Sequence, residues 1–163
     1  MMGTVLSLHE FTSLRKRFRS EGKKVVFSNG VFDILHRGHI EYLNKAKALG
    51  DVLTVGVNSD ASVRRIKGND RPVVPQEDRA FLVANIAAVD YVCIFEEETP
   101  LAVITALKPD ILVKGADWEV ERVVGRDVVE KSGGKVVTIE LTPGQSTSAM
   151  IQRIRTGIRQ DKR

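Results

Sequence analysis

The chain reads as an α/β protein built on a doubly wound, five-stranded parallel sheet. Three features predict this class. Apolar runs rich in β-branched residues alternate with amphipathic stretches along the chain, the order that yields strand–helix–strand units with right-handed crossovers. Runs such as Val25-Val26-Phe27 and Val52-Leu53-Thr54-Val55-Gly56-Val57 are apolar without a break, as strands covered on both faces require. With 163 residues and 42% hydrophobic content, the chain suffices for one core. A single domain over 1–163 is expected, with an N-terminal helix in 1–22 and the working core in 24–155.

The elements follow in order. Residues 6–20 place Leu8, Phe11, Leu14 and Phe18 at helical spacing, with Arg15, Lys16, Arg17 and Arg19 as a solvated basic face. The first strand spans 24–28, and a helix over 38–49 ends at Gly50, where a left-handed residue is wanted. Strand 52–58 leads to helices at 61–66 and 76–88, then strand 91–95. Pro100 suits the first turn of a helix over 100–107, with Thr99 as its cap. Strand 111–114, helix 126–132, strand 135–141 and helix 147–158 complete the alternation.

Composition excludes several classes. Thirteen Gly and five Pro are average usage, which rules out collagen-like and low-complexity chains. Cys93 is the sole cysteine, so an internal disulfide and a Cys-rich zinc site are both excluded. Within Tyr91-Val92-Cys93-Ile94-Phe95 it reads as an inert core thiol. The first thirty residues hold no apolar signal core, and no stretch approaches the ~18 apolar residues of a membrane span. A soluble cytoplasmic protein is therefore expected. The formal charge of +4 suits phosphorylated small molecules as well as nucleic acid. Dispersed basic residues and only six Phe, two Tyr and one Trp argue against a base-stacking surface, and no nucleic-acid partner is expected.

Ligands of doubly wound sheets bind beyond the carboxyl ends of the strands, at the switch in strand order. After the first strand comes Asn29-Gly30-Val31-Phe32-Asp33-Ile34-Leu35-His36-Arg37-Gly38-His39, which is neither a Walker A loop nor Gly-x-Gly-x-x-Gly. His36 and His39, three residues apart at a helix start, face the same way. Free N–H groups and a partial positive charge make that start an anion site. Gly38 removes a Cβ where a phosphate would approach. The third histidine, His9, sits far off in the N-terminal helix, so no metal ligand set is assigned. Ser146 caps the last helix and, with Thr147, offers hydroxyls and N–H groups suited to phosphates.

Asn29–Asp33 with His36-Arg37-Gly38-His39 resembles the nucleotidyltransferases with a His-x-Gly-His signature, a group of cytidylyltransferases and adenylyltransferases. The likeness continues in family order through Val57-Asn58-Ser59-Asp60, Lys67-Gly68, Arg71-Pro72-Val73, Glu77-Asp78-Arg79, Val89-Asp90-Tyr91-Val92, Leu112-Val113-Lys114-Gly115-Ala116-Asp117 and Gly144-Gln145-Ser146-Thr147-Ser148. Asn58-Ser59-Asp60-Ala61-Ser62-Val63 and the Lys114-Gly115 segment are similar to the heptose 1-phosphate adenylyltransferase branch. The resemblance implies a Rossmann-like nucleotidyltransferase fold. It implies transfer of AMP from ATP to D-glycero-β-D-manno-heptose 1-phosphate, giving ADP-heptose and pyrophosphate for lipopolysaccharide-type precursors. It also implies Mg²⁺ held mainly by the ATP phosphates, and a homodimer. Because 163 residues leave no room for a kinase, a separate kinase is expected to supply the sugar phosphate.

On that resemblance, His36, His39 and Lys67 are the catalytic residues. Asn29, Gly30, Val31, Phe32, Gly38, His39, Lys45, Asn58, Asp60, Arg79, Lys114, Gly115, Ser146 and Thr147 bind the nucleotide. Asp33, Lys114, Asp117 and Trp118 bind the acceptor, and Asp33 is a further contact for Mg²⁺. Plain ion pairs compete for Lys45 (with Glu41) and Arg79 (with Glu77 or Asp78). Departures from the branch pattern are Ala116 for Gly, Trp118 for Tyr, and Gln145 and Ser148 where Cys and Thr are commoner. Leu141 stands where glycerol-3-phosphate cytidylyltransferases carry Arg. That activity is the alternative within the group, and a non-catalytic nucleotide-binding module the alternative outside it.

Overall fold

The computed structural model describes residues 3–157. Its sheet holds β1 (Thr4–Val5), β2 (Val25–Gly30), β3 (Val52–Asn58), β4 (Tyr91–Phe95), β5 (Ile111–Gly115) and β6 (Lys135–Ile139). All pairings are parallel, in the order β1-β4-β3-β2-β5-β6. The five expected strands are present. The sixth, β1, is a correction: two exposed residues pair with Tyr91 and Val92 at the sheet edge. So short and exposed a strand carries no hydrophobic pattern.

Helices α1 (Leu8–Ser20), α2 (Arg37–Lys47), α3 (Asp60–Lys67), α4 (Gln76–Ala84), α5 (Leu101–Leu107), α6 (Arg126–Lys131) and α7 (Thr147–Thr156) connect and cover the strands. Period-two alternation splits β2 between two apolar layers. Val25 and Phe27 join Phe11 and Phe18 of α1, Ile104 and Leu107 of α5, and Val129 of α6. Val26 turns the other way, onto Leu43 of α2 and Val83 of α4. Cys93 lies in the first layer, and burial pushes its thiol up to about 12, so it is inert.

Tertiary contacts revise several local expectations. Arg15 is 5% exposed rather than solvated. Its guanidinium donates to the carbonyls of Leu107 and Lys108 and to Asp110, while Asp110 also accepts the Val25 N–H. The α5 carbonyls left free at its C-terminus are thereby satisfied. Gly50 does not adopt a left-handed φ. A Cβ there would lie 2.7 Å from Val26 Cγ2 and 2.9 Å from the Lys24 carbonyl, so close approach is what excludes a side chain. Pro100, not Thr99, occupies the cap position of α5. Helix α4 ends at Ala84, and α7 is followed to Thr156; the expected end at residue 158 lies outside the described residues. No described helix is long and apolar enough to cross a membrane.

The chain leaves β2 toward β3 and β4 on one side, while β5 and β6 flank it on the other. The carboxyl ends of β2 and β5 therefore diverge at the switch point, where a crevice must open.

Candidate active site

A cleft of about 560 Å³ occupies that crevice. Its floor is the end of β2 and the loop into α2. Phe32 sits there at φ 50, a left-handed conformation that non-glycine residues rarely adopt. Its ring is buried and meets His39 at 5.4 Å. His36 occupies the cap position of α2, and its ring stacks on His39 at 3.9 Å. The His36 backbone N–H donates to Nδ1 of His39 at 3.3 Å. That bond assigns the His39 ring proton to Nε2. Burial, and then the neighbouring His36, lower His39 to about 4, so at neutral pH it is an uncharged donor. Burial also lowers His36, whose Nδ1 is buried without a protein partner. Such an orphaned nitrogen marks a place for a ligand atom or proton.

Opposite the histidines stands the start of α7. Ser146 caps it, accepting the Ala149 N–H at 3.1 Å, and the Thr147 hydroxyl donates to the Ile34 carbonyl at 3.1 Å. Gly38 makes this approach feasible. A Cβ there would lie 3.1 Å from Gln145 Cβ and from the His36 ring, so its spacing role serves α7 and His36. Two helix N-termini therefore line one cleft, both presenting free N–H groups.

The β5 side is different in character. Lys114 donates to Asn29 Oδ1, bridging the switch between β2 and β5, and its ammonium lies 5.9 Å from the Trp118 ring. Burial lowers Lys114 to about 8, opposed by the charge of Asp117. Asp117 and Trp118 are exposed at the cleft mouth. A Cβ on Gly115 would crowd Asp117 Oδ1 and lie 3.1 Å from Leu141 Cδ1, so those two side chains would have to shift to admit one.

The cleft brings together Asn29, Gly30, Val31, Phe32, Gly38, His36, His39, Asn58, Lys67, Lys114, Gly115, Asp117, Trp118, Ser146 and Thr147. Three residues singled out from the sequence do not reach it. Lys45 points outward to the Glu140 carbonyl, and its alternative partner Glu41 is taken by Arg37. Arg79 is completely buried and spends its guanidinium on the Val74 and Val31 carbonyls and on Asp60. It pairs with neither Glu77 nor Asp78, and one oxygen of Asp60 is taken up with it. Both brace the site from behind.

Asp33 needs a subtler correction. It borders the cleft, but its side chain is 0% exposed. Its carboxylate accepts the Val73 and Val74 N–H groups at 2.9 and 2.8 Å and Arg71 Nε at 2.6 Å. Burial alone would raise its pKa, but these three donors outweigh it and hold it below the usual value. Wholly buried behind these donors, it offers no exposed oxygen to a sugar hydroxyl or a metal ion. Arg71, noted in the sequence only as part of a motif, borders the cleft, as do Tyr42 and Gln145. Only the fold shows this, because each is an ordinary polar residue without distinctive spacing.

Comparison with known proteins places the chain. The family model described as cytidylyltransferase-like matches residues 27–154. The chain is 56% identical over 138 residues to the bifunctional protein HldE of Citrifermentans bemidjiense, covering 85% of this chain and 28% of that protein. It is 53% identical over 152 residues to the bifunctional protein HldE of Nitratiruptor sp., covering 93% and 32%. It thus spans less than a third of the length of these curated relatives. Among solved structures, the lipopolysaccharide core biosynthesis protein from Thermoplasma volcanium superposes with a TM-score of 0.61 at 32% identity, over 74% of this chain and 98% of that one. With the family model spanning most of the chain and its residues converging on one phosphate-receptive cleft, the protein belongs to the cytidylyltransferase-like family of nucleotidyltransferases.

Proposed function

We propose that the chain transfers AMP from ATP to the phosphate of D-glycero-β-D-manno-heptose 1-phosphate, forming ADP-heptose and releasing pyrophosphate. The observation that carries this reading is one cleft with two polarities. Stacked histidines and the α7 start suit a polyphosphate, while Lys114, Asp117 and Trp118 suit a second, hydroxylated anion. The HldE relatives and the Lys-Gly-x-Asp segment favour a heptose phosphate as that second substrate.

An oxygen of the sugar phosphate attacks the α-phosphorus of ATP, and the bond from that phosphorus to the bridging oxygen of pyrophosphate breaks. The attacking phosphate is already ionised, so no general base is required. What the protein must provide is alignment and support for charge on the phosphate oxygens. His39 Nε2–H donates to an oxygen of the reacting phosphate, while His36, stacked against it, presents a second nitrogen. Lys67, exposed at the end of α3 and bordering the cleft, supplies a mobile cation to the triphosphate. Mg²⁺ held by the ATP phosphates would supply neutralisation of their charge. Among the described residues no group of three His, Cys, Asp or Glu side chains is placed to hold an ion.

The reading carries a cytoplasmic location, where nucleotides are available, a kinase reaction that makes the sugar 1-phosphate, and a homodimer. Phe81 and Leu82 on α4, 59% and 43% exposed, offer apolar surface for such pairing.

The test is pyrophosphate release with ATP or CTP crossed against heptose 1-phosphate or glycerol 3-phosphate. Turnover confined to ATP with heptose 1-phosphate is the expected result. Turnover with CTP and glycerol 3-phosphate would move the enzyme to the alternative activity and implicate Ala116. Binding of nucleotide with no turnover in any combination would overturn catalysis on these acceptors.

A further inference from the structure

Residues 68–75, between α3 and α4, lie beside the histidine loop with little apolar anchorage; Val73 is 55% exposed. Their attachment is polar and centres on Asp33. Its carboxylate takes two backbone N–H groups and Arg71 Nε from this one segment. Arg71 in turn is unlike a saturated structural arginine. Its side chain is 15% exposed and borders the cleft, and only Nε has a side-chain partner. Among the described residues its two terminal amino groups have no hydrogen-bond partner, leaving four N–H donors of one planar fork unused.

The same short loop fixes the other anion-receptive groups. Ile34 holds the α7 start through Thr147, and His36 begins α2. A second tie, Arg155 to Asp70 at 3.2 Å, joins α7 to the Arg71 segment. Arg71, the α7 start and the histidines are thus all registered to residues 33–36.

We infer that Arg71 is a substrate-phosphate receptor and that Asp33 is its positioning residue, an inference that rests on the nucleotidyl-transfer reading above. A guanidinium gripped at Nε keeps its fork pre-oriented, so a phosphate engages two parallel N–H groups without first ordering the side chain. The phosphate comes either from ATP or from the sugar phosphate, and Arg71 lies on the β3 side of β2, across from Lys114 on the β5 side.

The experiment combines direct binding and kinetics for Arg71→Gln, Arg71→Lys, Asp33→Asn and the double variant Asp33→Asn/Arg71→Gln. Calorimetry with ATP, inorganic pyrophosphate and heptose 1-phosphate needs no turnover, so it tests Arg71 even if the proposed reaction fails. Arg71→Gln is expected to weaken one class of ligand about tenfold or more, with Arg71→Lys recovering part of the loss. Loss confined to ATP and pyrophosphate assigns the nucleotide phosphates; loss confined to heptose 1-phosphate, with its KM raised and that for ATP unchanged, assigns the acceptor. Because Asp33 acts through Arg71, the double variant should bind no more weakly than Arg71→Gln alone. Wild-type affinity for all three ligands in Arg71→Gln would overturn the inference. So would losses that add in the double variant, which would make Asp33 a fastener of the loop and nothing more. If Asp33→Asn does not fold, Arg71→Gln and Arg71→Lys still decide the receptor.

Discussion

Asp33 follows β2 and Asp117 follows β5, neighbouring strands that end at the same crevice, yet the two carboxylates have opposite fates. Asp33 is wholly buried and saturated by residues 71–74. Asp117 is exposed at the cleft mouth. The contrast extends around them. On the Asp33 side, donors are aimed by hydrogen bonds within the protein, as for Arg71 and His39. On the Asp117 side, Lys114 and Trp118 carry polar and aromatic surface still open to a ligand. Identical side chains are thus spent inside the protein at one end of the cleft and left open to a ligand at the other.

The largest expected effect tests the preorganised end. His39→Ala removes the Nε2–H donor, and by analogy with oxyanion donors kcat should fall about 10²–10³-fold in pyrophosphate release. An unchanged kcat would mean that the aimed donors do not face the reacting phosphate. Next comes pH. The half-buried ring of His39 is lowered to about 4, against 6.5 for an unperturbed imidazole. The unfolded chain therefore binds the extra proton first as pH falls, and stability is lost between about 6.5 and 4. After discounting for partial exposure, the loss is about 2–3 kcal/mol. Urea unfolding across that range should show a shallower slope for His39→Gln than for wild type. Adding ATP should raise the His39 pKa, measured by NMR, because phosphate charge favours the imidazolium.

Asp33→Asn places an amide donor against backbone N–H groups and should cost about 2 kcal/mol of stability. Asp117→Asn should change stability by less than about 0.5 kcal/mol and act on the acceptor KM instead. Equal stability losses in the two variants would erase the contrast. Lys114→Met should have the opposite sign. Burial lowers its folded pKa to about 8, so its charge is a stability cost at neutral pH that fades as pH rises from about 8 toward 10.5. Its removal should add about 1 kcal/mol, roughly 2–4 °C in Tm, while slowing turnover.

What was legible in the sequence followed from local rules. The histidine pair stands three residues apart at a helix start, so spacing alone predicted that both rings face the same way, and the structure shows them stacked. The central strands announced themselves by unbroken apolar runs, and Ser146 by its place before an amphipathic helix. Partners distant in sequence left no such signature. Arg79 binds Asp60, 19 residues away, and Arg71 binds Asp33, 38 residues away, while Arg15 reaches Asp110. Nothing local distinguishes these arginines from Lys45 or Arg64, which stay on the surface.

By itself the sequence determined the layered fold, the strands that compose its centre and the anion-receptive start of α2, because periodicity, capping and helix polarity act within a few residues. Only the tertiary structure decided which charges are spent inside the protein and which remain for substrate. A buried charge must find a partner wherever the chain happens to return, and that choice is made by strand order and loop path. Asp33, Asp60 and Arg79 were claimed by neighbours brought close in folding; Arg71, Lys114 and Asp117 were left with donors and acceptors facing the cleft.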